Sequence, residues 1–388
     1  MDINEFDYAL PEELIAQKPV RPRDSSRLMV VRENIVHKKF SEVLNYFNSG
    51  DVLVVNETKV MRCKIKGTKS SGGPVEVTIL RPEDNINTAT NLNQKSARLF
   101  VVNEQTRQLQ LASMQDRFRK TQTMQDLENK AVNTQKNCWW AKIKCRNPLV
   151  GNIYTFTTKI TGNTFLEGEV IQSSNEEFLI KFNIPITPEI MEQFELPLPP
   201  YITRNIENDE EYQTSFAKTQ GSVAAPTAGL HFTPELFSAL KNKGVIITKI
   251  CLHVGYGTFL GVYTEKIEDH KMHHEYFEIT KENANIINNR KGKLFVVGTT
   301  SLRALESSTS SDGKISPQNS NTNIFIYPGY KFNLSIDGMI TNFHLPKSTL
   351  ILLISALFGK ENVFSAYQEA IKEKYRFYSL GDACLFLK

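Results

Sequence analysis

Short apolar runs broken by glycine, proline and asparagine dominate the first half of the chain, and helical periodicity dominates the second. Gly50-Asp51 precedes the β-branched run Val52-Leu53-Val54-Val55, and Asn56-Glu57-Thr58 supplies turn chemistry after it, so a buried strand is predicted there. Residues 61–84 read as strands broken at Gly67 and at Ser70-Ser71-Gly72-Gly73-Pro74, after which Val75, Val77 and Ile79 alternate, a hairpin signal. From Asn85 to Asn137 the chain is rich in Asn, Gln, Thr and Lys, with a weak strand at Leu99–Val102, and reads as an inserted, mobile excursion without chemistry. Strand patterns return at Trp139-Trp140, Tyr154–Thr157, Phe165, Val170 and Phe178–Ile180, with Gly151, Gly162 and Gly168 between them. Many short strands with glycine turns predict a small barrel.

The proline-rich joint Leu196-Pro197-Leu198-Pro199-Pro200-Tyr201 closes that section. Beyond it helices and strands alternate, an α/β pattern. Thr233-Pro234-Glu235 predicts a capped helix start, with Leu236, Phe237 and Leu240 as its buried stripe and Gly244 as its end. Strands are expected at Val245–Val254, Lys293–Val297 and Ile324–Tyr327. A helix is expected to begin near Leu302, another after Ser348, and a third along Val363, Phe364, Tyr367, Ile371 and Tyr375. No internal repeat stands out.

With 388 residues, 40% hydrophobic and 23% charged, the chain has ordinary globular composition and length for two domains, or one domain with an insertion. Five cysteines without a CxxC pair argue against a disulfide framework and a four-cysteine zinc site, and a reducing cytosol fits. The acidic start MDINEFDYALPEEL lacks the regions of a signal peptide. The longest apolar run, Leu350–Phe358, is far short of the ~20 residues of a membrane span, so a cytoplasmic protein is expected. Net charge is only +4, yet Lys59 to Ile160 holds 18 basic and 7 acidic side chains, a net +11 that leaves −7 elsewhere. That stretch is a candidate surface for a polyanion, or a solvated polar insertion.

Four segments carry candidate chemistry. Gly298-Thr299-Thr300-Ser301 joins a strand to a helix, offering backbone N–H groups, hydroxyls and a positive helix end to a carboxylate or phosphate, with Arg303 as a bidentate addition; a helix cap plus a salt bridge explains it equally. His253-Val254-Gly255-Tyr256-Gly257-Thr258-Phe259 ends a strand with glycines that let a flat ring approach the backbone, or forms a tight hairpin turn. His270-Lys271-Met272-His273-His274-Glu275 gathers material for proton transfer, for a metal, or for a solvated turn. Ser222–Phe232 is a run of small residues ending at His231, fit for ligand approach or for packing.

Together these segments resemble the S-adenosylmethionine:tRNA ribosyltransferase-isomerase family of queuosine biosynthesis. The likeness runs through FDYALPEELIAQ (6–17), PRDSSRLMVV (22–31), GDVLVVNETKV (50–60), LPLPPYITR (196–204), SVAAPTAGLHFT (222–233), HVGYGTF (253–259), HKMHHEYFEI (270–279), VGTTSLRALES (297–307) and DGMITNFHLPKSTL (337–350). Gly261 stands where the family usually has proline, and the 85–137 excursion looks like an insertion.

The resemblance implies an α/β main domain interrupted by a small antiparallel β-barrel domain: residues 1–60 and 186–388 for the first, 61–185 for the second. It implies transfer of the ribosyl part of S-adenosylmethionine onto 7-aminomethyl-7-deazaguanine in the tRNA wobble position, with isomerisation to epoxyqueuosine and release of adenine and methionine. The partners would be that tRNA and S-adenosylmethionine, with no metal, no further cofactor and no membrane, on a monomer. His231, His253, His273 and Glu275 are assigned to acid/base work. Substrate binding is assigned to Thr227, Gly229, Gly255, Tyr256, Gly257, Thr258, Phe259, Gly298, Thr299, Thr300 and Arg303. The methionine carboxylate falls at Gly298–Thr300 with Arg303, and the sulfonium near Tyr256 or Phe259. Lys59, Arg62, Lys64, Lys66 and Arg204 are assigned to tRNA phosphates. Two other classes compete: a metal-dependent hydrolase using His270, His273 and Glu275, and a non-catalytic RNA-binding protein using the basic barrel.

Overall fold

The run Val52 to Val55 is buried along its whole length, as a strand must be when both faces of its sheet are covered. It lies in the first of two units into which the computed structural model divides, Met1–Met61 with Leu196–Lys388, and Arg62–Glu195. The structure describes residues 1–83, 137–161, 164–174, 176–203, 208–259 and 261–388, and only the backbone of 159–161, 164 and 259. The excursion expected over 85–137 lies outside the described residues up to 136, as does Arg204.

Among the described residues the first unit carries a nine-stranded mixed sheet. Numbered along the chain, its strands are β1 (Arg27–Val31), β2 (Ile35–Lys39), β3 (Val52–Asn56), β12 (Ile246–Leu252), β13 (Glu275–Ile279), β14 (Leu294–Val297), β15 (Gln318–Thr322), β16 (Gly338–Asn342) and β17 (Ala383–Leu387). Their order is β15-β13-β12-β3-β14-β16-β17-β1-β2. The central four, β12, β3, β14 and β16, run parallel, so Leu252, Asn56, Val297 and Asn342 end at one edge of the sheet. Alternate residues feed two cores: Val52, Val54 and Val296 face one, Leu53, Val55 and Val297 the other. Two short strands, β4 (Thr58–Val60) and β11 (Thr219–Ser222), pair apart from this sheet.

The helices follow their local chemistry. Thr233 Oγ1 accepts the Leu236 N–H at the start of α1 (Pro234–Asn242), and Gly244 ends that turn at φ 89°. Thr280 caps α2 (Lys281–Asn288), and Ser348 caps α4 (Thr349–Phe358) before Gly359 and α5 (Lys360–Lys372). The helix after the Gly298 turn, α3 (Thr299–Ser307), starts at Thr299 rather than near Leu302, because Gly298 at φ 83° turns the chain directly from strand into helix. The strand expected at Ile324–Tyr327 is irregular. The ladder partner of β13 is instead the polar segment Gln318–Thr322, an edge strand needing no apolar face, while Ile326 is buried in the core without pairing.

The second unit is a closed antiparallel barrel of β5 (Lys64–Lys69), β6 (Pro74–Pro82), β7 (Cys138–Lys144), β8 (Ile153–Thr161), β9 (Thr164–Ser174) and β10 (Glu177–Phe182), in the order β10-β7-β6-β5-β8-β9. Val75, Val77 and Ile79 fill its interior as their alternation requires. Gly67 allows close strand approach there: a Cβ would stand 2.4 Å from the Thr155 carbonyl oxygen. The unit extends to Glu195 because that residue exchanges backbone hydrogen bonds with Lys64, 3.0 Å and 2.8 Å, after β10 has ended.

Candidate active site

A cleft in the first unit lies at the C-terminal edge of β12, β3, β14 and β16, where open α/β sheets place their ligands. Gly298, Thr299 and Thr300 form one wall, Thr227 and the small residues before it another, and Thr258 and Asn342 also line it. Gly298 donates its N–H to the Ile340 carbonyl at 2.8 Å, and the first turn of α3 has no side-chain cap, unlike α1, α2 and α4. Its orphan amides therefore add to the partial positive charge of the helix end.

Asn56, ending an apolar strand, braces this wall. Its Nδ2 donates to the Leu252 carbonyl at 2.9 Å and reaches Thr300 Oγ1 at 3.5 Å, while its Oδ1 accepts the Leu252 N–H at 3.0 Å. Asn342 plays the same part on β16. Thr227 Oγ1 donates to Asn342 Oδ1 at 2.9 Å, and Asn342 Nδ2 donates to the Asp382 carbonyl and to His231 Nε2 at 3.2 Å.

His231 itself is fully buried, does not line the cleft, and stacks on Phe40 with ring centroids 4.8 Å apart. Burial, helped by the charge of Arg23, holds its imidazole well below the ordinary value. The neutral ring accepts at Nε2 from Asn342, so Nδ1 carries the proton and faces Ser26 Oγ at 2.8 Å. His253 also stands away from the cleft lining. Its Nδ1 meets Thr58 Oγ1 at 2.8 Å, its ring stacks on Tyr276, and burial lowers its pKa.

Arg303 lies one helical turn beyond Thr299, buried behind that wall and not itself part of the cleft lining, its Nη1 paired with Glu275 Oε2. Glu275 Oε1 accepts the Gly255 N–H at 2.8 Å, so this carboxylate ties the glycine loop to α3. Nε and Nη2 of Arg303, the side-on fork of the guanidinium, have no hydrogen-bond partner. With both its oxygens engaged, Glu275 is committed away from a metal, and among the described residues no group of three or more His, Cys, Asp or Glu is arranged to hold one.

His273 is exposed and packs over the glycine loop: a Cβ at Gly257 would come within 2.7 Å of its Cδ2. Gly229 is a packing residue instead, since a Cβ there would meet Phe216 at 2.9 Å. Tyr256 does not line the cleft, and the Phe259 side chain lies outside the description.

The aromatic walls come from residues that the motif reading missed, Tyr201, Phe343 and Tyr378. Tyr201 and Tyr378 sit with ring centroids 4.7 Å apart, and Tyr201 Oη meets Ser379 Oγ at 2.5 Å. Tyr378 holds φ 68°, a conformation non-glycine residues adopt at a cost and that concentrates at functional sites. His344 was missed too. It lines the cleft, meets Thr341 Oγ1 at 2.7 Å through Nε2, and burial pushes it down to about 3. Polar residues ending buried strands, Asn56 after Val55 and Asn342 after Thr341, were the available signal for this edge.

Of the expected phosphate ligands, Lys59 is exposed on β4. Arg62 Nη1 donates to the Phe194 carbonyl at 2.9 Å, and Lys64 and Lys66 form ion pairs with Glu76 and Glu195.

The profile of the family described as queuosine biosynthesis protein matches residues 3–386. A relative from Desulforamulus reducens, named S-adenosylmethionine:tRNA ribosyltransferase-isomerase, is 40% identical over 401 residues, spanning 100% of both chains. One of the same name from Clostridioides difficile is 41% identical over 396 residues and 99% of each chain. A crystal structure of S-adenosylmethionine tRNA ribosyltransferase from Thermotoga maritima shares 28% identity, covers 99% of this chain and 100% of that one, and has a TM-score of 0.47.

Proposed function

This chain belongs to the queuosine biosynthesis protein family, and on that premise we propose that its cleft is where the reaction proceeds. The protein is an enzyme. It transfers and isomerises the ribosyl moiety of S-adenosylmethionine onto 7-aminomethyl-7-deazaguanine at the tRNA wobble position, giving epoxyqueuosine-tRNA with release of adenine and methionine. S-adenosylmethionine is a co-substrate, consumed in the turnover.

The observation that carries the placement is the pairing of an uncapped helix start with an unsatisfied guanidinium fork, at the C-terminal edge of a parallel sheet. The methionine carboxylate is placed on the α3 amides and Arg303, whose free Nε and Nη2 suit a bidentate oxyanion. Tyr201, Phe343 and Tyr378 offer ring faces to the sulfonium, in place of Tyr256.

The chemistry begins when a base removes a C5′ proton acidified by the sulfonium. Adenine then leaves, the aminomethyl nitrogen bonds to the sugar, and the epoxide closes as methionine departs. Proton transfer falls to His273, exposed over Gly257, while His344, the cleft imidazole that burial keeps neutral, acts as a hydrogen-bonding group. His231 and Glu275 act through Asn342 and Arg303 and are positioning residues; His253 braces β12 against Thr58. No step is assigned to a metal. A monomer in the cytoplasm is part of the same proposal. Among the described residues no single helix is long and apolar enough to cross a membrane.

Purified protein with S-adenosylmethionine and tRNA bearing the deazaguanine tests the reading. Adenine and methionine release, with the matching mass gain on the nucleoside, is expected. Absence of both, beside a working control enzyme, refutes it.

A further inference from the structure

On the barrel unit a groove runs between the turn joining β5 to β6 and the loop joining β7 to β8. Four cations, Lys66, Lys69, Lys144 and Arg146, line it against one carboxylate, Glu76. Glu76 lies 3.0 Å from Lys64, and Lys66 lies 2.8 Å from Glu195, so these charges are already matched. The Lys144 and Arg146 side chains are exposed and have no ion-pair or hydrogen-bond partner among the described residues.

Backbone geometry builds this arrangement. Lys66, Glu76 and Lys144 stand in one row across β5, β6 and β7, which puts them on the same outward face. Gly72 at φ 82° and Asn147 at φ 57° turn the two connections tightly, and the Lys69 ammonium donates to the Arg146 carbonyl, tying turn to loop. The fixed result is a concave surface whose positive charge exceeds what its one carboxylate, Glu76, can neutralise. Such a surface concentrates a polyanion and gains by counterion release when phosphates replace small ions.

We propose that this groove binds RNA phosphodiesters, with Lys144 and Arg146 making contacts that Lys64 and Lys66 have surrendered to carboxylates. The proposal rests on the reading that the protein acts on tRNA, and it locates part of that contact on the barrel.

The test is fluorescence anisotropy with tRNA carrying 7-aminomethyl-7-deazaguanine, over a salt series, on the full chain. The Lys144→Gln/Arg146→Gln variant is expected to bind roughly tenfold or more weakly at about 0.1 M salt. Its plot of log affinity against log salt should be shallower by about 1.4 to 1.8, the share of two phosphate contacts. Lys144→Arg/Arg146→Lys, which keeps both charges, should retain the wild-type slope. Lys241→Gln/Lys374→Gln, an equal charge change on the α/β unit, should also retain it. An unchanged slope in the first variant overturns the proposal, as does an equal loss in the Lys241/Lys374 control, which would mean that net charge alone matters. Weaker binding with an unchanged slope also overturns it, since phosphate contacts are then not what was removed. If the wild type neither binds this tRNA nor releases adenine, the parent reading fails; if it does both while the Lys144/Arg146 variant binds like it, only the groove fails.

Discussion

Asn342 Nδ2 donates to His231 Nε2 at 3.2 Å, so a histidine with no surface of its own controls the orientation of a cleft residue. Replacing His231 by Phe keeps the stacking on Phe40 but removes the acceptor of Asn342 and the Nδ1 donor to Ser26, at a cost of about 1–3 kcal/mol. Thermal unfolding should register that loss. The KM for S-adenosylmethionine should rise more than kcat falls, and His231→Gln, which retains an acceptor, should recover much of the binding. A pure loss of kcat would make His231 a direct proton carrier instead.

Glu275 and Arg303 form a buried pair, both largely hidden from water. Glu275→Ala leaves a buried guanidinium uncompensated and the Gly255 N–H unbonded, and should cost about 3–5 kcal/mol in denaturant unfolding. Glu275→Gln, which can still accept from Gly255, should lose less.

Stability should fall on acidification. His344 titrates near about 3 when folded against an ordinary 6.5, so above the ordinary value both states are neutral and the group contributes no slope. Below it, the unfolded chain takes up a proton that the folded protein refuses, and stability is lost progressively down to about 3. Between about pH 7.5 and pH 5 this should remove roughly 2 kcal/mol, with His231 adding a loss of the same sign. His344→Asn should flatten the dependence. A flat wild-type profile would show that these rings are not buried and neutral.

Gly257→Ala should damage catalysis more than folding. The added methyl displaces His273, which is exposed and free to swing away, so the unfolding midpoint should move little while kcat drops. If kcat is preserved, His273 has no part in proton transfer.

Much of the fold was legible because local chemistry and tertiary role agree. Val52–Val55 reads as a buried strand, Thr233 and Ser348 as caps, and Gly72-Gly73 as a hairpin turn, and each of these residues does in the structure what its type favours. Ile324–Tyr327 misled because apolar side chains can enter a core from irregular backbone, while a polar edge strand such as Gln318–Thr322 carries no apolar signature. The cleft lining was legible where one segment supplies both turn and wall, as at Gly298–Thr300. It was not legible where separate loops converge on one edge: Tyr201, His344 and Tyr378 are far apart in the chain and meet only through the sheet order. Residue type gave no sign that His231 is fully buried or that both oxygens of Glu275 are already hydrogen-bonded.

Calorimetric binding of S-adenosylmethionine against its decarboxylated analogue tests whether Arg303 and the start of α3 receive the methionine carboxylate. The wild type should favour the carboxylated form by about tenfold or more, in keeping with roughly 1.5–3 kcal/mol for a hydrogen bond to a charged group. Arg303→Gln should lose most of that preference. Equal discrimination by wild type and variant would contradict the account and move the carboxylate elsewhere in the cleft.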